Sequence, residues 1–229
     1  MLIIVQNDAE VPCGAYGDYL REWRVPFRVV NSHAGEALPP PEELSAAIVL
    51  GGAMGVHDTA RHPALVPLKS WIAETVDREV PFLGICLGGQ LLADVFGARV
   101  LSPSPFGEKG THGVSLSNDG VGDPLFSGVP REFITFQWHN DAFEVPSGGV
   151  RLAFSAACPN QAFRFGPSAW GTQFHPEMTA ELVDLWARWS PETAVRVDGL
   201  LAEFRREEGD YRSAAQKILA NFLSLSKLK

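Results

Sequence analysis

The sequence has few cysteines, no excess of positive charge and no long apolar run. Its three cysteines, Cys13, Cys86 and Cys158, are odd in number and far apart, which argues against a disulfide framework and favours a reducing compartment. The formal charge is −8 and the basic residues are scattered, so we do not expect a nucleic-acid-binding protein. No segment approaches the ~20 apolar residues that span a membrane. We therefore expect a cytoplasmic protein that acts on a small molecule.

Apolar runs alternate with helical patterns in the first part of the sequence. Strand-like runs cover 2–5, 27–30, 46–50 and 80–85, and helical patterns cover 16–23 and 65–76. This alternation predicts an α/β fold with a central, mostly parallel sheet flanked by helices. Residues 1–5 are apolar but short and lack a basic leader, so they indicate a first strand rather than a signal peptide.

The later part of the sequence has a different pattern. Short runs between 100 and 165 predict a smaller antiparallel β portion, and helical patterns cover 182–189, 192–207 and 211–225. We expect a single domain over residues 1–229, with a catalytic core to about 190 and a helical C-terminal extension from about 191 to 229. The extension would either cover the sheet or form a subunit contact, and the oligomeric state is not predicted.

Cys86 lies between a predicted strand and a predicted helix, in Gly84-Ile85-Cys86-Leu87-Gly88-Gly89-Gln90. A sharp turn at this junction would present the thiol in a strained conformation, and the glycines two positions before and after would relieve crowding. Unpaired amides at the helix N-terminus favour a thiolate or an oxyanion. The pattern predicts a cysteine nucleophile.

A cysteine nucleophile needs a base, because a free thiol with a pKa near ~8.5 is only slightly ionised at neutral pH. The best candidate is His175, at the end of an apolar run that begins at Ala169. Residues two apart on a strand share one side of the backbone. We therefore expect Glu177 to orient the imidazole of His175.

A glycine-rich turn, Gly51-Gly52, follows another predicted strand. Parallel strands end at a common rim, so this turn is expected to meet the Cys86 turn. The Gly52 amide, together with the Leu87 amide, would then form an oxyanion hole.

These motifs resemble those of the class I glutamine amidotransferases, a triad-type family with Gly-x-Cys-x-Gly-x-Gln and a later His-Pro-Glu. The segments 84–90 and 175–177 match both motifs. Two further segments, Gln137-Trp138-His139-Asn140-Asp141 and Cys158-Pro159-Asn160-Gln161-Ala162-Phe163-Arg164, resemble stand-alone relatives of the GMP synthase glutaminase domain. The resemblance implies the flavodoxin-like fold of this family.

The resemblance also implies an activity. Cys86 would attack the side-chain amide of glutamine, or another γ-glutamyl carbonyl, and His175 would protonate the leaving ammonia and then activate water. Gln90, Gly51 and His139 would bind the substrate. The sequence has no Gly-x-x-x-x-Gly-Lys-Ser/Thr run for ATP phosphates, so an ammonia-accepting synthetase would be a separate partner.

Two alternatives stay open. Similar stand-alone proteins include γ-glutamyl peptidases, which cleave glutathione-like compounds, and a non-catalytic regulatory relative would keep the fold without turnover. No histidine shows a paired metal spacing, so we expect no metal and no other cofactor. Cys13 and Cys158 are expected to be non-catalytic, and Trp186 and Trp189 are expected to pack on the domain.

Overall fold

One nine-stranded sheet runs through the computed structural model, which describes residues 1–229. Its strands, and two that pair separately, are β1 (Leu2–Gln6), β2 (Phe27–Asn31), β3 (Ala46–Val49), β4 (Phe82–Ile85), β5 (Val100–Leu101), β6 (Glu108–Leu116), β7 (Glu132–His139), β8 (Ala142–Phe143), β9 (Val150–Phe154), β10 (Ala162–Phe165) and β11 (Ala169–Thr172). The helices are α1 (Gly14–Glu22), α2 (Leu65–Asp77), α3 (Leu87–Val95), α4 (Asn118–Gly122), α5 (Ala180–Ala187), α6 (Pro191–Ala194) and α7 (Val197–Leu225).

The strand order is β2-β1-β3-β4-β11-β10-β9-β6-β7. The five strands from β2 to β11 are parallel, and each later strand is antiparallel to its neighbour. The predicted α/β fold with a parallel central sheet and an antiparallel portion is confirmed. The antiparallel strands continue the main sheet, because β10 and β11 form a hairpin, and only β5 and β8 form a second small sheet.

The central strands are buried on both faces, as parallel strands covered by helices are. In β1, Leu2 and Ile4 belong to one apolar cluster and Ile3 and Val5 to another, because successive side chains point to opposite faces. The first cluster contains side chains of α1, α5 and α7, and the second contains side chains of α2 and α3. The sheet is therefore covered by helices on both sides.

A single long helix, α7, covers the antiparallel end of the sheet. The two helices predicted over 192–207 and 211–225 are wrong in their boundaries, since α6 is one turn and α7 continues from Val197 to Leu225 through Gly209. A glycine inside a helix costs about 1 kcal/mol, but α7 buries Phe204, Tyr211 and Ile218 along one side. The helix packs against β6, β7 and α5. None of the helices has the length and apolar character to cross a membrane.

Candidate active site

Neighbouring parallel strands end at one rim of the sheet, where hydrogen bonds connect the loops that follow them. Asn7, which follows β1, donates its Nδ2 to the Leu50 carbonyl after β3 at 2.8 Å. The Cys86 amide, which follows β4, donates to the Thr172 carbonyl at the end of β11 at 2.8 Å. In open α/β sheets, ligands bind outside the carboxyl ends of the strands. Cys86 therefore lies where this fold places its ligands.

Cys86 has a backbone conformation that non-glycine residues rarely adopt, with φ of 51° and ψ of −109°. Such strain costs about 1–3 kcal/mol and is kept only where the surroundings enforce it. Here the packing of strand against helix enforces it: a Cβ on Gly84 would overlap the Gly88 backbone, and one on Gly88 would overlap the Val49 carbonyl oxygen. The predicted strand-to-helix turn, with a glycine on each side of the thiol, is present.

His175 and Glu177 form a buried pair. His175 Nδ1 lies 2.6 Å from Glu177 Oε1, and the two residues are 2% and 0% exposed. The sequence predicted that His175 ends a strand. This is wrong, because β11 stops at Thr172. His175 lies in the following irregular segment, where its amide donates to the Phe136 carbonyl of β7 at 2.8 Å. The contact between the two side chains is thus as predicted, although the backbone around them is not.

Two neighbours determine the protonation of His175. Burial by itself lowers the pKa of His175, but the Glu177 carboxylate and the Cys86 sulfur raise the pKa well above its ordinary value. A raised pKa favours the imidazolium, which is the form that His175 takes after it accepts the thiol proton. Cys86, His175 and Glu177 thus lie in the order expected of a nucleophile, a base and an orienting acid, and these three roles stay a prediction.

The β3 loop and the first turn of α3 both border Cys86. A Cβ on Gly51 would lie 3.0 Å from His175 Cε1 and 3.5 Å from Cys86 Cβ. A Cβ on Gly52 would lie 3.0 Å from Leu87 Cδ2. Leu87 is the first residue of α3, so its amide has no acceptor within the helix. Gly52 and Leu87 therefore lie close to each other beside the Cys86 turn, and their role as oxyanion donors stays a prediction.

The segment that carries His175 and Glu177 is held by residues that the sequence did not indicate. Tyr211 of α7 donates its hydroxyl to the His175 carbonyl at 3.1 Å and accepts from the Met178 amide at 2.6 Å. Gly14, at the start of α1, packs so closely on the Glu177 carbonyl that a Cβ would overlap it. No motif marks Tyr211, because its position depends on how α7 returns across the sheet.

Two glutamines lie beside Cys86. Gln90, which is 3% exposed, donates its Nε2 to Gln173 Oε1 at 3.2 Å. Gln173 Nε2 in turn donates to Cys86 Sγ at 3.6 Å. The sequence indicated Gln90 but not Gln173, which has no motif of its own although it is two residues before His175. Contact of Gln90 with a substrate stays a prediction.

His139, at the end of β7, has both ring nitrogens turned toward protein atoms. Its Nδ1 donates to the Asp141 carbonyl at 2.8 Å, and its Nε2 lies 3.7 Å from Glu108 Oε2. The same carboxylate accepts from the Ser155 hydroxyl at 2.7 Å and from Gln161 Nε2 at 2.6 Å. The network gives a structural role to the segment 158–164, because Gln161 in that segment holds the Glu108 carboxylate. Substrate contact by His139 stays a prediction.

Replacing Glu108 by glutamine is expected to destabilise the fold at pH 7 and to have a smaller effect at acidic pH. Burial alone raises the pKa of Glu108, but His139 and the Ser155 hydroxyl together lower it below its usual value. The carboxylate therefore stabilises the fold above pH ~4.3, the unfolded value, and this stability is lost as the pH falls through the folded pKa. Glu108→Gln should be about 1–3 kcal/mol less stable than wild type at pH 7.

Urea unfolding at several pH values measures this effect. The difference between Glu108→Gln and wild type should shrink as the pH falls below ~4. Glu132→Gln, which changes an exposed carboxyl at the start of β7, is the matched control and should stay close to wild type at every pH. A Glu108→Gln deficit that is constant from pH 3 to 7, about the range of glutamate titration, would contradict the explanation.

A cavity of about 310 Å³ opens beside Cys86 and is called the Cys86 cavity below. Three tryptophans, Trp138, Trp186 and Trp189, line it together with Gln90, His139 and His175. Trp186 is 1% exposed and packs on the domain as predicted, but its ring also meets the His175 ring edge-on, with centroids 4.9 Å apart. The tryptophans therefore belong to the site as well as to the core.

A second, larger cavity of about 1230 Å³ lies at the carboxyl ends of β1 and β2. It is lined by Asn7, Ser32 and Trp71, and neither Cys86 nor His175 reaches it. Met54, in the loop after β3, borders both cavities. We place the candidate active site in the smaller cavity, because Cys86 and His175, the predicted nucleophile and base, both line it.

The family model for glutamine amidotransferase class-I matches residues 16–184, which include Cys86, His175 and Glu177. The chain belongs to this family. The glutamine amidotransferase-like protein YfeJ of Salmonella typhimurium is 32% identical over 184 residues, covering 79% of this chain and 77% of YfeJ. One component of the glutamine-hydrolysing GMP synthase of Thermococcus kodakarensis is 33% identical over 189 residues, covering 78% of this chain and 89% of that component.

Solved structures agree with this assignment to the glutamine amidotransferases. A crystal structure of a glutamine amido transferase from Methylobacillus flagellatus has a TM-score of 0.87 and 28% identity, with 98% of this chain and 94% of that chain covered. A glutamine amidotransferase from Thermotoga maritima has a TM-score of 0.75 and 30% identity, with 99% and 93% covered. By contrast, the chain spans only 32% of the GMP synthase of Caldanaerobacter subterraneus.

The other two cysteines of this amidotransferase chain lie outside the Cys86 cavity. Cys158 is buried, its Sγ lies 3.5 Å from the Asn160 carbonyl oxygen, and burial raises the pKa of its thiol to about 11. Cys13 precedes α1, and burial raises the pKa of its thiol as well. A raised pKa lowers the thiolate fraction, and the non-catalytic role of both residues stays a prediction.

Proposed function

We propose that the chain hydrolyses the side-chain amide of glutamine through a γ-glutamyl thioester on Cys86, releasing ammonia and glutamate. The observation that carries the proposal is the meeting of three loops: Cys86 on its strained turn, the His175–Glu177 pair, and Gly51 packed against both. Membership of the class-I glutamine amidotransferases supports the same reaction class.

Each step of the proposed reaction has a residue to perform it. Cys86 Sγ attacks the amide carbon as His175 takes the thiol proton, and the amides of Gly52 and Leu87 donate to the oxyanion. His175 returns the proton to the nitrogen, the C–N bond breaks, and ammonia leaves. Water then attacks the thioester as His175 takes its proton, the C–S bond breaks, glutamate leaves, and the proton returns to the Cys86 sulfur. Each donor of an oxyanion hole contributes about 2.7–4 kcal/mol.

The remaining walls of the Cys86 cavity would hold the amino-acid part of the substrate. Gln90, His139 and Gly51 are the residues that we propose for this binding. Gln90 and His139 line the cavity, and Gly51 packs on the reacting pair. The cavity volume of about 310 Å³ falls within the ~300–1,000 Å³ range of small-molecule sites.

Replacing Glu177 by glutamine is expected to lower kcat by about 10²–10⁴-fold, with a small change in KM. The uncharged side-chain amide of glutamine cannot neutralise the positive charge of the His175 imidazolium. It can also donate a hydrogen bond to Nδ1, which allows the wrong tautomer of His175. Steady-state ammonia release measures the effect. Glu181→Gln, an exposed carboxyl four positions later in α5, is the matched control. A Glu177→Gln enzyme that is folded and as fast as wild type would show that Glu177 does not orient the base.

Incubation of the purified chain with glutamine tests the proposed function. We expect ammonia and glutamate in equal amounts. Glutamate release from glutathione without ammonia release from glutamine would instead identify a γ-glutamyl peptidase. Turnover of neither compound would indicate a regulatory relative, or a glutaminase that is inactive without its synthetase.

A separate synthetase partner is a second proposal. The relative from Thermococcus kodakarensis is one component of a glutamine-hydrolysing GMP synthase, and a component of this kind implies a partner that receives ammonia. Co-purification of the tagged chain with a synthetase, together with a rise in glutaminase rate on mixing, is the expected result. An unchanged rate with a saturating amount of that synthetase would count against the pairing.

A further inference from the structure

The position of the leaving group follows from the orientation of His175. Its Nδ1 is hydrogen-bonded to Glu177 Oε1 at 2.6 Å, and the other side of the ring faces Cys86. In a cysteine hydrolase, the base that accepts the thiol proton gives it to the leaving nitrogen. The leaving nitrogen would then lie beside the free side of the His175 ring, and a substituent on that nitrogen would extend into the Cys86 cavity, whose wall His175 shares with three tryptophans.

That wall is aromatic. Trp186 meets the His175 ring edge-on at 4.9 Å, Trp189 stacks on Trp186 at 5.1 Å, and Trp138 lies 6.5 Å from Trp186. We call these three residues the tryptophan wall. Trp186 Nε1 donates to the Glu10 carbonyl at 2.8 Å, which fixes the central ring. The wall is therefore a fixed surface next to the point where the C–N bond breaks.

The outer two tryptophans offer surface to a ligand. Trp138 and Trp189 are half-buried, whereas Trp186 is fully buried. Aromatic rings stack on one another with centroids ~4.5–7 Å apart and gain energy beyond the area that they bury. Ammonia, the leaving group from glutamine, would use none of this surface. A planar group on the leaving nitrogen would use it.

The charges around the cavity disfavour an acidic leaving group. Its lining contains two carboxylates, Asp58 and Asp141, and no lysine or arginine side chain. Lys109 lies 5.9 Å from the Trp138 ring centroid and 3.9 Å from Glu192, and it does not line the cavity. A leaving amine that carries a carboxylate would be desolvated without a cationic partner, which is costly.

We infer that the Cys86 cavity is built for γ-glutamyl amides of amines that bear an aromatic ring and no carboxylate, with the ring against the tryptophan wall. The inference rests on the proposed function and specifies its substrate class. The bond that breaks is the γ-glutamyl C–N bond. The amine leaves with the proton from His175. Water then hydrolyses the thioester on Cys86 and releases glutamate.

Three substrates that share the γ-glutamyl group test the inference: γ-glutamylphenethylamide, γ-glutamylphenylalanine and glutamine. The first two differ only in the carboxylate of the leaving group, and glutamate release is a common readout. We expect kcat/KM for the phenethylamide to exceed that for each of the others by about tenfold or more, the discrimination that an apolar pocket provides. Trp189→Ala should remove most of this preference, measured as the ratio of kcat/KM for the phenethylamide to kcat/KM for glutamine, and Trp189→Phe should keep it.

Trp23→Ala removes a half-buried tryptophan after α1, remote from the cavity, and should behave as wild type. Cys86-dependent turnover with γ-glutamylphenylalanine or glutamine preferred over the phenethylamide would overturn the inference and leave the proposed function intact. The comparison on the wild-type chain decides this even if Trp189→Ala does not fold. Failure to release glutamate from all three substrates would overturn both.

Discussion

Replacing Cys86 by alanine is expected to abolish glutamine hydrolysis, with kcat lowered by about six orders of magnitude, as when the nucleophile of a hydrolytic triad is removed. The thiol is the only cysteine side chain that lines the cavity, and His175, which contacts Glu177, lines the same cavity. Without the sulfur, the oxyanion donors and the base would act on water alone. Ammonia release from glutamine measures the loss.

The control for this variant removes a thiol elsewhere. Cys13→Ser keeps a small polar residue before α1, outside the Cys86 cavity, and should retain the wild-type rate. Thermal unfolding of Cys86→Ala should show a folded protein, since the packing that enforces the positive φ involves Gly84, Gly88 and Val49 rather than the sulfur. A folded Cys86→Ala variant that still releases ammonia at a substantial rate would contradict the proposed role.

Gly88→Ala is expected to cause a large loss of stability at the Cys86 turn. The new Cβ would overlap the Val49 carbonyl oxygen and come within 2.8 Å of its carbon. Both are backbone atoms of a buried strand and cannot move aside independently. Overpacking typically costs 1–3 kcal/mol, and we expect about 3 kcal/mol or more here. For a chain of this size that lowers Tm by roughly 6–12 °C.

Activity should fall with stability in Gly88→Ala, because a shift of α3 away from β3 would move the Leu87 amide and Cys86 together. Gly113→Ala is the matched control: Gly113 lies in β6, and a Cβ there would meet no atom within 4 Å. Calorimetry and ammonia release on the same preparations measure both effects. A Gly88→Ala variant with wild-type Tm and rate would contradict the tight packing of strand and helix at the turn.

Features that depend on local sequence were predictable. The turn at Cys86 follows from an apolar run, flanking glycines and a helical pattern, all within about fifteen residues. His175 and Glu177 are two residues apart, so their contact could be expected even though the strand predicted to end at His175 stops at Thr172. The α/β order was readable from alternating patterns, because periodicity reports which face of each element is buried.

Features that depend on distant parts of the chain were not predictable. Tyr211 reaches the His175 carbonyl only because α7 crosses the antiparallel strands, and no local pattern specifies that path. Trp189 has the sequence context of a packing residue, and its place in the cavity depends on its stacking on Trp186 of α5, whose ring in turn lies near Trp138 of β7. The continuity of α7 through Gly209 also depends on burial of its apolar side, which outweighs the helix-breaking tendency of glycine.

Covalent labelling tests the central claim most directly. The purified chain is treated with a diazoketone analogue of glutamine, which alkylates the nucleophile that would attack the γ-carbonyl, and the modified peptide is located by mass spectrometry. We predict one label per chain on Cys86, loss of activity in proportion to labelling, protection by glutamine, and no label in Cys86→Ala. Loss of activity with the label on another residue, or an unlabelled Cys86 in a chain that hydrolyses glutamine, would contradict the account.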